Sequence, residues 1–295
     1  MSPDYAAALS GLENAERSMK FTAAGCDITC NCKVKHYPNG MKRFAVYSAD
    51  IIRVPGWEAQ EGEGRKPHDP DELRPGGDIA RSKRRAKTAI TDLALSNEFK
   101  YFVTLTLDKS KVNRYDMKEI TRKLNNWLDN NVRRKGLKYI LVPERHRDGA
   151  IHFHGFFNDA LPAMDSGTLD WQGKPRKPRS KAQRQEWLSK GAHIVYNLPN
   201  WSLGFSTAIE LYGSYSSAVG YVCKYVSKAD EKIGGRWYYS GGDLRRPEVT
   251  YHRANYKAVV DAYGDKAQPF DVAALGCHGI IFDVEGKQSG MDEHG

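Results

Sequence analysis

The sequence predicts an α+β fold on three observations. Tyr101 to Leu107 alternates cleanly, with Tyr101, Val103, Leu105 and Leu107 on one face of a strand and Thr104 and Thr106 on the other. Asp116 to Arg134 reads as an amphipathic helix whose apolar side carries Ile120, Leu124, Trp127 and Leu128. Lys138 to Glu144 and Ile151 to Phe157 read as two strands joined by a tight turn containing Asp148 and Gly149. A chain of 295 residues has room for one large domain, or for a core with substantial additions.

The remaining elements follow in order. Cys32 to Tyr37 and Lys42 to Ser48 flank Pro38, Asn39 and Gly40 as a hairpin. Gly, Pro and charged residues dominate from Pro55 to Gly77, which reads as a surface segment. A helix is expected from Asp78 to Leu95, carrying Arg81, Lys83, Arg84, Arg85 and Lys87 with no acidic residue before Asp92. A solvated face is the plain reading of that run, and phosphate contact is the functional one. Asp165 to Gly191 is Pro-rich and basic, an excursion with a short helix near its end. His193 to Leu198 and Phe205 to Leu211 are strand candidates, and Tyr215 to Lys228 is a helix. The last thirty residues have weak periodicity and an acidic end, and are expected as a tail. The expected organisation is an N-terminal extension over 1–95, a core over 96–265 with a basic insertion at 160–192, and a tail over 266–295.

Composition excludes several function classes. The 45 Lys and Arg exceed the 36 Asp and Glu, giving a net charge of +9 that favours a polyanionic partner. Residues 1–25 hold Asp4, Glu13, Glu16, Arg17 and Lys20 without an uninterrupted apolar stretch, so neither a secretory signal nor a membrane span is expected. The expected location is the cytoplasm, where the five cysteines stay reduced. Cys26, Cys30 and Cys32 lack the second ligand pair of a usual zinc site; a structural metal is the functional reading, and buried or idle thiols on a strand are the plain one. The absence of a G-x4-G-K-[ST] phosphate loop argues against motor ATPase activity within this chain.

The segment from Glu144 to Gly155 is the richest in chemistry. His152 and His154 are two apart on a strand, so both imidazoles project from one face and can form half a metal site. A two-residue turn at Asp148 and Gly149 would send Glu144 to the opposite face. A three-residue loop, with Gly149 left-handed in a G1 bulge, would instead pair Glu144 with His152 and turn Glu144, His146, His152 and His154 the same way. Two neutral imidazoles and a carboxylate suit Mg²⁺ or Mn²⁺ with positions left for water or a phosphate oxygen.

On the later helix, Tyr221, Lys224, Tyr225 and Lys228 are related by i, i+3, i+4 and i+7 and form one stripe, while Val219, Val222, Cys223 and Val226 occupy another side. Alone, the stripe reads as an amphipathic helix with boundary tyrosines and snorkelling lysines. Beside a metal site it reads as a nucleophile pair, because a tyrosine hydroxyl needs a base, cation or metal to attack at neutral pH.

Three motifs in order, Phe102 to Thr106, Glu144 to His154 and Tyr221 to Lys228, closely resemble the HUH endonuclease superfamily. They are most similar to the two-tyrosine rolling-circle replication initiators of phages and plasmids related to filamentous-phage gene II protein. The resemblance implies a central antiparallel sheet of about five strands with flanking helices, the two histidines on a middle strand and the tyrosine helix beside them. It implies that Glu144, His152 and His154 bind the metal. Tyr221 and Tyr225 would be the nucleophiles, accompanied by Lys224 and Lys228. The function expected is metal-dependent nicking and strand transfer on single-stranded origin DNA, at a hairpin or supercoiled origin in a bacterial host cell. It would proceed through a 5′-phosphotyrosine, with a host helicase and DNA polymerase as partners. Alternatives are a relaxase or transposase of the same superfamily, or a non-catalytic DNA-binding regulator. DNA contacts are expected from Arg81, Lys83, Arg84, Arg85 and Lys87.

Overall fold

The computed structural model describes residues 29–53, 77–146, 148–171, 173–212, 215–272 and 275–284. Cys26 lies outside them, as does nearly all of the segment expected from 55 to 77. The chain divides into two compact units, one made of residues 1–72 with 247–295 and the other of residues 73–246.

In the first unit β1 (Thr29–Cys30) pairs with β4 (Ile52–Arg53). The expected hairpin is present as β2 (Cys32–His36) and β3 (Lys42–Tyr47). Three later strands join it, β13 (Glu248–His252), β14 (Gln268–Val272) and β15 (Cys277–Val284), to give an antiparallel sheet of order β13-β2-β3-β15-β14. Within the expected tail, Gln268–Val272 and Cys277–Val284 are therefore strands of a sheet. Ile280 and Phe282 on β15 are buried with Val34, Phe44 and Val46, and Phe282 stacks on Phe44 and on Tyr263 of the helix Tyr256–Tyr263. The Asn31 amide ties the unit together, donating to the Tyr47 and Ala254 carbonyls and accepting from the Ala254 amide. Cys30 and Cys32 are buried, and burial pushes the Cys32 thiol up to about 12, so it stays protonated.

The second unit holds β5 (Tyr101–Leu107), β6 (Tyr139–Arg145), β7 (Ile151–Phe157), β8 (Met164–Trp171), β9 (Lys174–Arg176), β10 (His193–Asn197), β11 (Gly204–Glu210) and β12 (Tyr239–Gly241). All eight lie in one antiparallel sheet of order β12-β6-β7-β5-β11-β10-β8-β9. The five strands expected from the sequence are the contiguous middle of that sheet, with β12 added at one edge and β8 and β9 at the other. The basic excursion is accordingly more ordered than its composition implies. β8 is held by its ladder to β10, whose register shifts between Val195 and Tyr196, and the Ser166 hydroxyl donates to the Val195 carbonyl at that point. The short helix near its end is present as Lys181–Ser189.

Helices cover both faces. The helices α1 (Gly77–Ser96), α2 (Met117–Lys135), α3 (Lys181–Ser189) and α4 (Tyr215–Lys228) belong to this unit. Asp116 caps α2 by accepting from the Lys118 and Glu119 amides, and Gly136 ends it at φ 70°. Ile120, Leu124, Trp127 and Leu128 of α2 are buried against Tyr101, Val103, Leu105, Leu141, Phe153 and Phe157 on one face of the sheet. On the other face, Ile90 and Leu93 of α1 and Val219, Val222 and Val226 of α4 pack on Ile140, Val142 and Phe156. The basic helix thus belongs with the unit of the eight-stranded sheet, whereas residues 247–265 belong with the N-terminal strands.

Candidate active site

The β6–β7 turn decides whether the site exists. The His146 amide donates to the Ala150 carbonyl and the Gly149 amide to the His146 carbonyl, with Gly149 at φ 84°, so three residues separate the paired positions His146 and Ala150. Glu144 consequently pairs with His152. The larger loop puts the carboxylate on the imidazole face: Glu144 Oε2 lies 2.9 Å from His154 Nε2. His146 shares the face, its ring stacked on His152 with centroids 5.0 Å apart.

Behind the histidines stand two threonines whose role the sequence reading missed. Thr104 pairs with His154 and Thr106 with His152 across β5 and β7. Their hydroxyls meet the Nδ1 atoms at 3.0 Å and 3.3 Å respectively. Both rings are therefore held with Nε2 turned away from β5. A hydroxyl donates or accepts, so it supports either tautomer: Nε2–H pointing at Glu144, or an Nε2 lone pair facing a cation. The alternation of Thr104 and Thr106 opposite a buried apolar set is the signal that marks them.

Burial lowers the His154 imidazole from 6.5 to about 4, with His152 and Lys228 adding to the effect, so at neutral pH its contact with Glu144 is a hydrogen bond from a neutral imidazole and not an ion pair. The His152 imidazole is also lowered, first by burial and then by His146. Neutral imidazoles and a carboxylate are the donor chemistry a divalent cation takes. The fit is incomplete: Glu144 and His154 converge, with His152 alongside, yet among the described residues no group of three or more His, Cys, Asp and Glu side chains is close enough to hold a metal ion.

The tyrosine helix completes the site. Tyr225 is only 8 % exposed and its ring lies flat on His154, centroids 4.2 Å apart and planes 6° from parallel. Tyr221, 48 % exposed, meets Phe102 edge to face at 5.6 Å. The Tyr225 hydroxyl donates to the Tyr221 oxygen at 2.9 Å. Burial, followed by that hydrogen bond, raises the Tyr225 hydroxyl above the ordinary tyrosine range. The i, i+4 pair is thus unequal, one hydroxyl buried and donating, the other open and accepting. Lys228 Nζ lies 5.6 Å over the Tyr225 ring, whereas Lys224 is an exposed residue of α4.

The basic run on α1 splits into two groups. Lys83 Nζ donates to the Ser227 carbonyl at 3.3 Å, where it caps the C-terminal end of α4, and Lys87 Nζ reaches the Ser227 hydroxyl at 3.4 Å. Lys83 also lies 5.5 Å over the Trp237 ring. These two lysines tie the tyrosine helix to α1. Arg81, Arg84 and Arg85 face solvent.

Fold and site together define an α+β protein whose antiparallel sheet presents a Glu–His pair to two tyrosines on a helix. Residues 100–230 match the family model for the replication-associated protein of the ORF2 and gene II protein family, a stretch that begins just before β5 and ends just after α4. That match supports a role in the initiation of rolling-circle replication. No curated protein and no solved structure matches the chain. No described helix is long and apolar enough to cross a membrane.

Proposed function

We propose that the chain nicks and rejoins single-stranded origin DNA to initiate rolling-circle replication, as an HUH endonuclease of the two-tyrosine type. The observation that carries this reading is the Tyr225 ring lying flat on His154 while its hydroxyl donates to Tyr221, which joins the tyrosine pair to the Glu144–His154 pair in one contact chain. The family match over the same residues adds support.

Tyr221 is the first nucleophile, because its hydroxyl is open and its oxygen already accepts a hydrogen bond. Attack of that oxygen on a backbone phosphorus forms the P–O(Tyr221) bond and breaks the bond to the 3′ oxygen. The tyrosine proton passes to solvent water and the 3′ oxygen takes one up from water, so the products are a 5′-phosphotyrosine and a free 3′ hydroxyl with no net change in protons. The hydrogen donated by Tyr225 steadies the developing phenolate, and Lys228, 5.6 Å over the Tyr225 ring, supplies positive charge on the Tyr225 side of the pair. Glu144 and His154, with His152 brought in, would hold Mg²⁺ or Mn²⁺, which when bound polarises the phosphate as a Lewis acid. The ester in the intermediate retains the energy of the broken bond, so rejoining needs no nucleotide hydrolysis. A host polymerase extends the 3′ hydroxyl and a host helicase opens the duplex.

Incubation of labelled single-stranded origin DNA with Mg²⁺ or Mn²⁺ should yield a covalent adduct that survives denaturation and maps to Tyr221. Absence of an adduct from the wild-type protein, across both metals and the candidate origins flanking its gene, overturns the proposal.

A further inference from the structure

The line of residues through the site continues beyond it. Glu144 pairs with His152, His152 with Thr106, and Thr106 with Phe205, so four positions cross β6, β7, β5 and β11 in a single row on one face. Phe205 ends the row 70 % exposed. A phenyl ring left in water contributes little to folding, and its neighbour on the same face, Thr207, is exposed as well. The face continues onto β10. Ile209 pairs with Val195, and His193 shares the Val195 side of the strand. Tyr212, 54 % exposed, stacks on His193 with centroids 3.3 Å apart and planes 12° from parallel.

Resting on the proposed function above, we infer that Phe205 is a stacking position for an unpaired base close to the scissile phosphate, with the Tyr212–His193 stack as the next position along the same path. Two strand spacings of about 4.8 Å set Phe205 about 10 Å from His152, within reach of a nucleotide adjoining a phosphate held at the histidines. Three things point to single-stranded DNA as the occupant. The face is continuous with the candidate active site, its two large exposed groups, Phe205 and Tyr212, are flat rings that stack on any base, and the chain carries a net charge of +9. Paired bases present no open face to such a ring, so the position distinguishes single strands from duplex.

The test uses the full chain and a fluorescein-labelled oligodeoxythymidine, with binding followed by anisotropy. Phe205→Ala should weaken binding about tenfold, in line with base stacking on an aromatic side chain. Phe205→Trp should bind at least as tightly as wild type, and neither variant should change affinity for duplex DNA of the same length. Equal single-strand affinity of wild type and Phe205→Ala overturns the inference, and so does a loss shared equally by duplex. Concentration-dependent self-association that Phe205→Ala abolishes would also overturn it, by assigning the face to a second copy of the chain. The covalent adduct separates the two readings. A wild-type protein that forms no adduct but loses single-strand affinity on Phe205→Ala rejects the nicking reaction and keeps the stacking position. A protein that forms adducts and binds unchanged after Phe205→Ala rejects the stacking position alone.

Discussion

The two faces of the eight-stranded sheet are made by the same strands and have opposite characters. Toward α2, Val103, Leu105, Leu141 and Phe153 are completely buried. One residue along each strand, Thr104, Thr106, Glu144, His152 and His154 turn the other way and form a hydrogen-bonded polar set. That second face is itself graded. Where α1 and α4 cover it, Ile140, Val142 and Phe156 are apolar, and polar groups take over as the strands run out toward the β6–β7 turn. Close packing on one side fixes the backbone, and the fixed backbone holds polar groups on the other side at hydrogen-bond distance.

If the division of labour is real, stability and chemistry should respond separately. The largest effect falls on chemistry: Tyr221→Phe should reduce adduct formation below detection while costing only about 1 kcal/mol by urea unfolding, the worth of the hydrogen bond that the exposed Tyr221 side chain accepts from Tyr225. A large midpoint shift would break the separation. Phe153→Ala should do the reverse, costing about 3–5 kcal/mol by urea unfolding through the cavity it leaves under α2. A cost below about 1 kcal/mol would show the packed face to be loose.

Acid should report the polar face. The native His154 value of about 4 lies below the ordinary 6.5, so between these values the unfolded chain binds a proton that the folded chain refuses. Stability from this group is full above pH 6.5 and declines as pH falls toward 4, by up to about 3 kcal/mol. The lowered His152 value acts in the same direction. Unfolding midpoints taken across that range should lose most of their slope in His154→Gln, and an unchanged slope would place the titration elsewhere. The smallest effect is expected from Thr104→Val, which removes the partner of His154 Nδ1. Mn²⁺ affinity by calorimetry should drop about 10- to 100-fold and recover in Thr104→Ser, and equal affinities for all three proteins would leave the threonine without a positioning role.

Much of this arrangement was legible in the sequence, because strong local patterns drive it. The patterns of α1, α2 and α4 placed each helix within a residue or so, and Gly149 allowed a loop that could bring Glu144 and the histidines to one face, although the sequence left the two-residue alternative open as well. Elements stabilised from a distance were missed. β8 contains Asp165, Gly167 and Asp170 and shows little alternation, yet the ladder to β10 makes it a strand. β15 was concealed by an acidic, Gly-containing end, although Ile280 and Phe282 have their partners on β3 and in the helix after β13. Spacing put Tyr221 and Tyr225 on one stripe, but only the packing of α4 against β7 reveals that one is buried and the other open. The same holds for Lys83 and Lys87, whose partner Ser227 is more than a hundred residues away in sequence.

Gly155 gives the hairpin its mutational tolerance map. A Cβ at this position would run into the Ile140 carbonyl and the Leu141 Cα on β6, so the two backbones approach more closely there than any side-chain-bearing residue permits. Randomising position 155 and selecting for folded protein should return glycine. At position 149 the left-handed backbone, at φ 84°, admits asparagine as well, since a Cβ there meets only the Tyr115 ring at ordinary contact distance. Two glycines six residues apart are thus under different rules, one fixed by space and the other by torsion.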